Sequence, residues 1–256
     1  MFNLEGMVAV VTGSSRGIGR AMAEAFALQG AQVVISSRNA DTCAEVAASI
    51  NATCGPGRAI AVPANISSKQ ELSQLVAATL HAFGQIDILV CNAATNPYYG
   101  PMAGILDEQF RKILDNNILS SHWLIQMVAP QMVQRRQGSI IIVSSIGGLR
   151  GSPVIGAYNV SKAAQFQLAR NLAVEYGEHN VRVNCIAPGI IQTDFARALW
   201  ENPLTHERFV SANPMKRVGQ AQEVAGAAVY LASRESSYVT GHTLVVDGGW
   251  TAYLGP

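Results

Sequence analysis

The sequence predicts a doubly wound α/β fold, a parallel sheet of about seven strands with helices on both faces, on three observations. Short apolar runs alternate with longer segments at helical period, the pattern of successive βα units. The first run ends in a glycine-rich turn that opens a helix. Among 256 residues 49% are hydrophobic and only 14% charged, which suits strands buried on both faces and further apolar surface between subunits.

Bulk properties bound the function. A formal net charge of +1 gives no attraction for nucleic acid or an acidic membrane surface. No apolar run reaches the ~18 residues of a membrane span, and the start Met1-Phe-Asn-Leu-Glu-Gly6 lacks the regions of a signal peptide, so a cytoplasmic protein is expected. The length suits one domain over 1–256. Cys43, Cys54, Cys91 and Cys185 have no close paired spacing and the five His form no cluster, so reduced thiols and no metal are expected.

In order, Met7–Val11 reads as a strand, and Thr12-Gly13-Ser14-Ser15-Arg16-Gly17-Ile18-Gly19 as a tight turn before an Arg20–Leu28 helix closed by Gly30. Glycines allow backbone to approach a pyrophosphate, which the unpaired N–H groups of the helix start attract. Gly13, Ser15, Arg16, Gly17, Ile18 and Gly19 are therefore candidate dinucleotide-binding residues. The second strand, Ala31–Ser37, ends where an NAD-preferring site carries an acid for the ribose 2′-hydroxyl. Ser36 and Ser37 stand there, followed by Arg38. Arg38 and Arg16 can converge on a 2′-phosphate, which favours NADPH/NADP over NAD. Asp41, the alternative ribose acid, falls at the start of the next helix and reads as a partner of its dipole.

Arg58–Pro63 reads as the third strand, and Ser68–Phe83 as a helix capped by Ser67 or Ser68. Ile86–Cys91 is the fourth strand, with Asn92-Ala93-Ala94 at the carboxyl edge where cofactors bind. Tyr98 and Tyr99 follow in a turn-rich loop, either as packing or as a pocket wall. Asp107–Gln134 forms a long helical region with Pro130 as its weak point. Asn116 and Asn117, poor helix formers in its middle, invite a functional reading, although a surface position costs little. Gly138–Ser145 is the fifth strand and ends in hydroxyls.

Gly156–Glu175 reads as a long helix that places Tyr158 and Lys162 one turn apart on one face. An ammonium beside a phenol lowers a pKa that starts near 10, making Tyr158 a proton donor near neutral pH. The same spacing is common in surface pairs, so the pair needs company. Val181–Ala187 is the sixth strand, and Pro188–Thr193 leaves it. Residues 192–214, with Phe195, Leu199, Trp200 and Phe209, read as a helical lid over substrate or as core packing. Thr243–Val246 is the last strand and leads into Asp247-Gly248-Gly249.

Taken together, Thr12-Gly13-x-x-x-Gly17-Ile18-Gly19, Asn92-Ala93-Ala94, Asn117, Ser145, Tyr158-x-x-x-Lys162, Pro188-Gly189 and Val246-Asp247-Gly248-Gly249 resemble the short-chain dehydrogenase/reductase family over essentially the whole chain. The likeness is to single-domain members, and most of all to NADPH-dependent carbonyl reductases acting on retinal and aromatic ketones. It implies a Rossmann fold and a Tyr-Lys-Ser mechanism. Ser145 would bond the substrate carbonyl, Tyr158 would deliver the proton, Lys162 would hold the nicotinamide ribose, and Asn117 would hold a water linking Lys162 to solvent. Ser145 precedes Tyr158 by 13 residues, the family spacing, which selects it over Ser144, and Asn117 rather than Asn116 matches the family's asparagine.

The resemblance also places Asn65 and Ile66 at the adenine, where an Asp is usual. It places Asn92 and Ala93 along the cofactor, with Asn-Ala-Ala replacing the commoner Asn-Ala-Gly, and Pro188, Gly189, Ile190 and Thr193 at the carboxamide. Ile146 and Leu149 would join Tyr98 and Tyr99 at the pocket. A homotetramer is implied, built through the fourth and fifth helices and the last strand. The activity implied is NADPH-dependent reduction of ketones or aldehydes to alcohols on an apolar or aromatic substrate. Alternatives are an acyl-carrier ketoreductase, for which Arg136 matches one of two basic residues while His179 stands at the other, and an alcohol or sugar dehydrogenase. A non-enzymatic NADPH sensor would tolerate loss of Ser145, Tyr158 or Lys162, and all three are present.

Overall fold

In a computed structural model, which describes residues 1–196, 200–201 and 203–253, seven strands form one sheet. They are β1 (Val8–Thr12), β2 (Gln32–Ser36), β3 (Ala59–Ala61), β4 (Ile88–Cys91), β5 (Gly138–Val143), β6 (Val181–Pro188) and β7 (Thr243–Val246). Every neighbouring pair is parallel and the order is β3-β2-β1-β4-β5-β6-β7, a Rossmann arrangement. The order reverses between β1 and β4, which opens a crevice at the carboxyl ends of those strands.

Both faces of the strands are apolar because both are covered. Val11, Ile35, Val90 and Ile141 point to the layer of α1 (Gly17–Leu28), α2 (Ala40–Cys54) and the helix Ala221–Ala232. Val10, Val34, Leu89 and Ile140 point to α3 (Lys69–Phe83), α5 (Ser120–Arg135) and α6 (Gly156–Tyr176). Truncating Ile35, Ile141, Leu89 or Ile140 to Ala is worth about 2–5 kcal/mol, since the surroundings close only partly over the lost volume.

Local chemistry sets most boundaries. Asn39 caps α2 by accepting from Thr42 N at 3.0 Å, and Asp41 lies in its first turn. Ser68 caps α3, accepting from Glu71 N at 3.2 Å, and Gly84 ends it at φ 78°. β4 starts at Ile88, two residues later than the apolar run predicts. The buried Asp87 carboxylate accepts from Val8 N at 2.8 Å and pairs with Arg135 at 3.0 Å, so this position serves as a polar tie.

The helical region from Asp107 is one rod with a defect in it. α4 (Asp107–Leu114) passes into a π turn at Asp115–Leu119 and then into α5, which continues through Pro130. The wider turn brings Asn116 and Asn117 inward, both buried and Asn117 completely, so the surface position that would make them cheap is not the one they occupy. No helix among the described residues is long and apolar enough to cross a membrane, and none of their His, Cys, Asp and Glu gather in a group able to hold a metal ion.

Candidate active site

The glycine turn after β1 is packed to the point where a Cβ does not fit. Gly13 and Gly17 have φ of 67° and 57°, and a Cβ on Gly19 would overlap the Gly13 carbonyl and stand 2.5 Å from Asn92 Nδ2. Asn92, at the end of β4, secures the turn by donating through Nδ2 to the carbonyls of Thr12 and Gly13 at 2.9 and 3.2 Å. Thr12 Oγ1 accepts from the backbone N–H groups of Asn92 and Ala93 at 3.0 and 3.2 Å. Helix α1 then starts without a side-chain cap and without an acid in its first turn, so its leading N–H groups point at the crevice. A flush backbone and a cationic helix end fit a pyrophosphate.

Sequence reasoning passes over Ser14, which braces this turn. Its fully buried hydroxyl donates to Val11 O at 2.6 Å and accepts from Ser36 N at 2.9 Å, tying the turn to the end of β2. Ser15 and Ile18 are half-buried on the turn, and Arg16 and Arg38 are exposed at the rim, with Arg16 3.5 Å from Asp194. Ser37 Oγ lies 3.1 Å from Cys43 Sγ. Beyond β3, Asn65 Oδ1 accepts from Ser67 N at 3.1 Å and Ile66 packs on the core, so Asn65 shapes its own turn.

Across the crevice, the end of β5, the π turn and the start of α6 meet. Ser145 accepts from Gly147 N through Oγ at 3.0 Å, which keeps its own hydrogen available to donate. Asn117 Oδ1 accepts from Thr95 N at 2.8 Å, while Nδ2 donates to Thr95 O at 3.0 Å and Ser161 Oγ at 2.9 Å. Ser144 Oγ donates to Lys162 O at 2.8 Å and fixes α6 on β5. Lys162, 1% exposed, donates from Nζ to Val143 O at 2.9 Å and Gln165 Oε1 at 3.1 Å, and its Nζ lies 5.4 Å from the centre of the Tyr158 ring.

The pair is thus together, but the expected lowering of the phenol pKa is absent. Burial pushes Tyr158 up to about 12, against a weaker downward pull from its hydrogen bond with Ser145. Burial also lowers Lys162 to about 7, opposed by the nearby Cys185 thiol. An ammonium that is itself desolvated and half discharged near neutrality lends the phenol little charge. Spacing along a helix carries no information about that burial.

A family model described as enoyl-(acyl carrier protein) reductase matches residues 13–251. Dehydrogenase/reductase SDR family member 4 of Bos taurus is 41% identical over 98% of this chain and 89% of its own. The chain belongs to the short-chain dehydrogenase/reductase family. Among solved structures, a gluconate 5-dehydrogenase from Burkholderia cenocepacia in complex with NADP and tartrate has a TM-score of 0.94 and 30% identity, covering 99% of this chain and 98% of its own. A 7α-hydroxysteroid dehydrogenase with NADH and 7-oxo glycochenodeoxycholic acid has a TM-score of 0.92 and 38% identity, covering 97% and 95%. The chain is accordingly an oxidoreductase of a family that uses NAD(P), and the two neighbours hold different forms of it.

The segment after β6 borders this short-chain dehydrogenase/reductase crevice. Gly189 sits so close to Asp247 that a Cβ would stand 2.8 Å from its Cα, and Ile190 O accepts from Gly219 N at 3.0 Å. Thr193 stands against Gly17, whose Cβ would lie 3.3 Å from Thr193 Cγ2. Phe195 is 61% exposed with its ring 6.2 Å from that of Tyr158, so it faces the crevice instead of the core. Trp200 Nε1 donates to Thr193 O at 2.9 Å, and the Phe209 ring lies tilted against that of Trp250 with centres 5.3 Å apart. The expected lid residue Leu199 lies outside the described residues. Tyr98 folds onto its own loop, donating to Pro101 O at 2.8 Å, while Tyr99 is 64% exposed. Arg136 and His179 precede β5 and β6 at the edge of the sheet opposite the crevice, where Arg136 donates to Glu178 O at 2.7 Å.

Proposed function

We propose that this protein is an NADPH-dependent reductase of ketones or aldehydes, acting through Ser145, Tyr158 and Lys162 on an apolar or aromatic carbonyl compound. The observation that carries this reading is the meeting of the Ser145 hydroxyl, the Tyr158 phenol it bonds and the buried Lys162 amine on one wall of a crevice whose other wall is the glycine turn. Gly13, Ser15, Gly17, Ile18 and Gly19 would hold the pyrophosphate, with Arg16, Ser37 and Arg38 at the ribose 2′-phosphate. Asn65, Ile66, Asn92 and Ala93 would line the adenosine side, and Pro188, Gly189, Ile190 and Thr193 the carboxamide. When bound, the cofactor supplies the hydride.

Ser145 donates to the carbonyl oxygen and polarises the bond. Tyr158, whose phenol keeps its proton well past neutrality, is the acid that meets the alkoxide as charge develops on the oxygen. Lys162 supplies an N–H to the ribose. Phe195 gives the pocket an aromatic wall beside Tyr158. The cofactor preference is supported by two rim guanidinium groups and by serine in place of an acid at the end of β2.

Replacing Tyr158→Phe tests the reading. Turnover of an aromatic ketone with NADPH should fall by at least ~100-fold, while NADPH binding followed by cofactor fluorescence stays unchanged. Retained turnover overturns the assignment.

A further inference from the structure

Gln165 lies one helical step beyond Lys162 on α6 and is 1% exposed. Its amide is used at both ends. Oε1 accepts from Lys162 Nζ at 3.1 Å, and Nε2 donates to the main-chain carbonyl of Asn117 at 2.6 Å. Chemistry fixes the orientation, because a flipped amide would set N–H against ammonium and carbonyl against carbonyl. The side chain therefore spans directly the interval between Asn117 and Lys162 for which a water was expected.

Building on the role given above to Lys162, we propose that Gln165 is a positioning residue that anchors the Lys162 amine to the Asn117 carbonyl and fixes which of its protons serves the crevice. An ammonium has three donors. Val143 O and Gln165 Oε1 hold two of them. In the neutral amine those are the only two, so the proton gained and lost by Lys162 is the third, left for the crevice. The titratable groups facing it are Tyr158 on its own helix and Cys185 on β6, behind which lie Cys91 and Arg170. Gln165 adds the uncharged acceptor that favours the protonated form. A glutamine that merely filled the core would have no such effect on the lysine.

The test is an NMR titration of cofactor-free protein with lysine labelled at the ε-carbon, the Lys162 signal being identified by its loss in Lys162→Met. In Gln165→Met, which keeps the length and removes both hydrogen bonds, the Lys162 midpoint should fall by about one pH unit. In the loaded enzyme kcat should drop about tenfold with KM for the carbonyl substrate within about twofold of wild type. Gln165→Glu keeps an acceptor toward Lys162, and its midpoint should rise above wild type. In the wild-type protein the Gln165 side-chain amide signals should shift along the same titration. An unmoved Lys162 midpoint in either folded variant, or amide signals silent through the wild-type titration, overturns the proposal. The titration is read without cofactor, so failure of carbonyl reduction alone leaves it standing.

Discussion

The glycine turn and the polar cluster around Lys162 face each other across one crevice, and they are built on opposite terms. The turn is held by shape: Gly13 and Gly17 have positive φ, a Cβ on Gly19 would overlap the Gly13 carbonyl, and Asn92 and Ser14 fasten main-chain atoms. The cluster is held by partners: Asn117, Ser161, Gln165 and Lys162 are buried polar groups, each satisfied by another. The first wall should therefore respond to added volume and the second to a lost hydrogen bond or a changed charge.

The largest effect follows from adding one methyl group to the shape-held wall. Gly19→Ala places a Cβ against the Gly13 carbonyl and 2.5 Å from Asn92 Nδ2, the first being backbone and the second held by two hydrogen bonds. Overpacking here should cost about 3 kcal/mol in urea unfolding, despite the better helix propensity of Ala, and cofactor binding should be lost. Stability within ~0.5 kcal/mol of wild type would mean that the turn gives way, and the contrast between the walls would fail. Next comes the partner-held wall. Asn117→Ala removes volume easily but orphans Thr95 N and O and takes one of two partners from Ser161 Oγ, at a cost of about 2 kcal/mol. The same denaturant curves measure it, and an unchanged midpoint would show that the network carries no stability.

The two walls also differ in how far they can be read from sequence. The glycine turn is legible because its constraint is a residue type: Gly13, Gly17 and Gly19 stand where only the absence of a side chain serves. Tyr158, Lys162 and Ser145 are legible from spacing, and the structure does bring them to one edge. The π turn is not legible, because Asn116 and Asn117 signal only a poor helix and not a wider one. Gln165 is hidden as one polar residue in a long helix, although its place three residues after Lys162 puts it on the face that α6 buries. The direction of the Tyr158 shift is misread for a related reason, since helical period gives proximity but not desolvation.

Charge burial gives the third and smaller effect, and it belongs to the Lys162 wall. Lys162 titrates near 7 in the folded chain against 10.5 when exposed, so between those values the unfolded state binds more protons. Stability must rise with pH in that window, and below about 7 the full penalty of a buried charge is present. From pH 6 to 8 the gain from this one group should be about 1 kcal/mol. Tyr158 enters only above about pH 10, where its raised pKa makes stability fall. In cofactor-free protein, Lys162→Met should therefore flatten the rise between pH 6 and 8. An equal slope in both proteins would assign that rise to other groups.

The smallest structural effect should come from Arg38→Asp, and it separates holding a cofactor from choosing one. Arg38 is exposed, so its replacement should leave stability within about 0.5 kcal/mol of wild type. Its consequence is electrostatic. Where the proposed site meets a 2′-phosphate, an aspartate sets charge against charge, and where it meets a 2′-hydroxyl it supplies the acceptor that Ser36 and Ser37 do not. Competition of NADPH against NADH, followed by cofactor fluorescence, should show wild-type preference for NADPH falling by about 100-fold in the variant. Because the glycine turn is fastened by Asn92 and Ser14 and not by the rim arginines, NADH should still bind. A variant that loses both cofactors would place Arg38 in the support of the turn itself, and the shape-held wall would then depend on a charge after all.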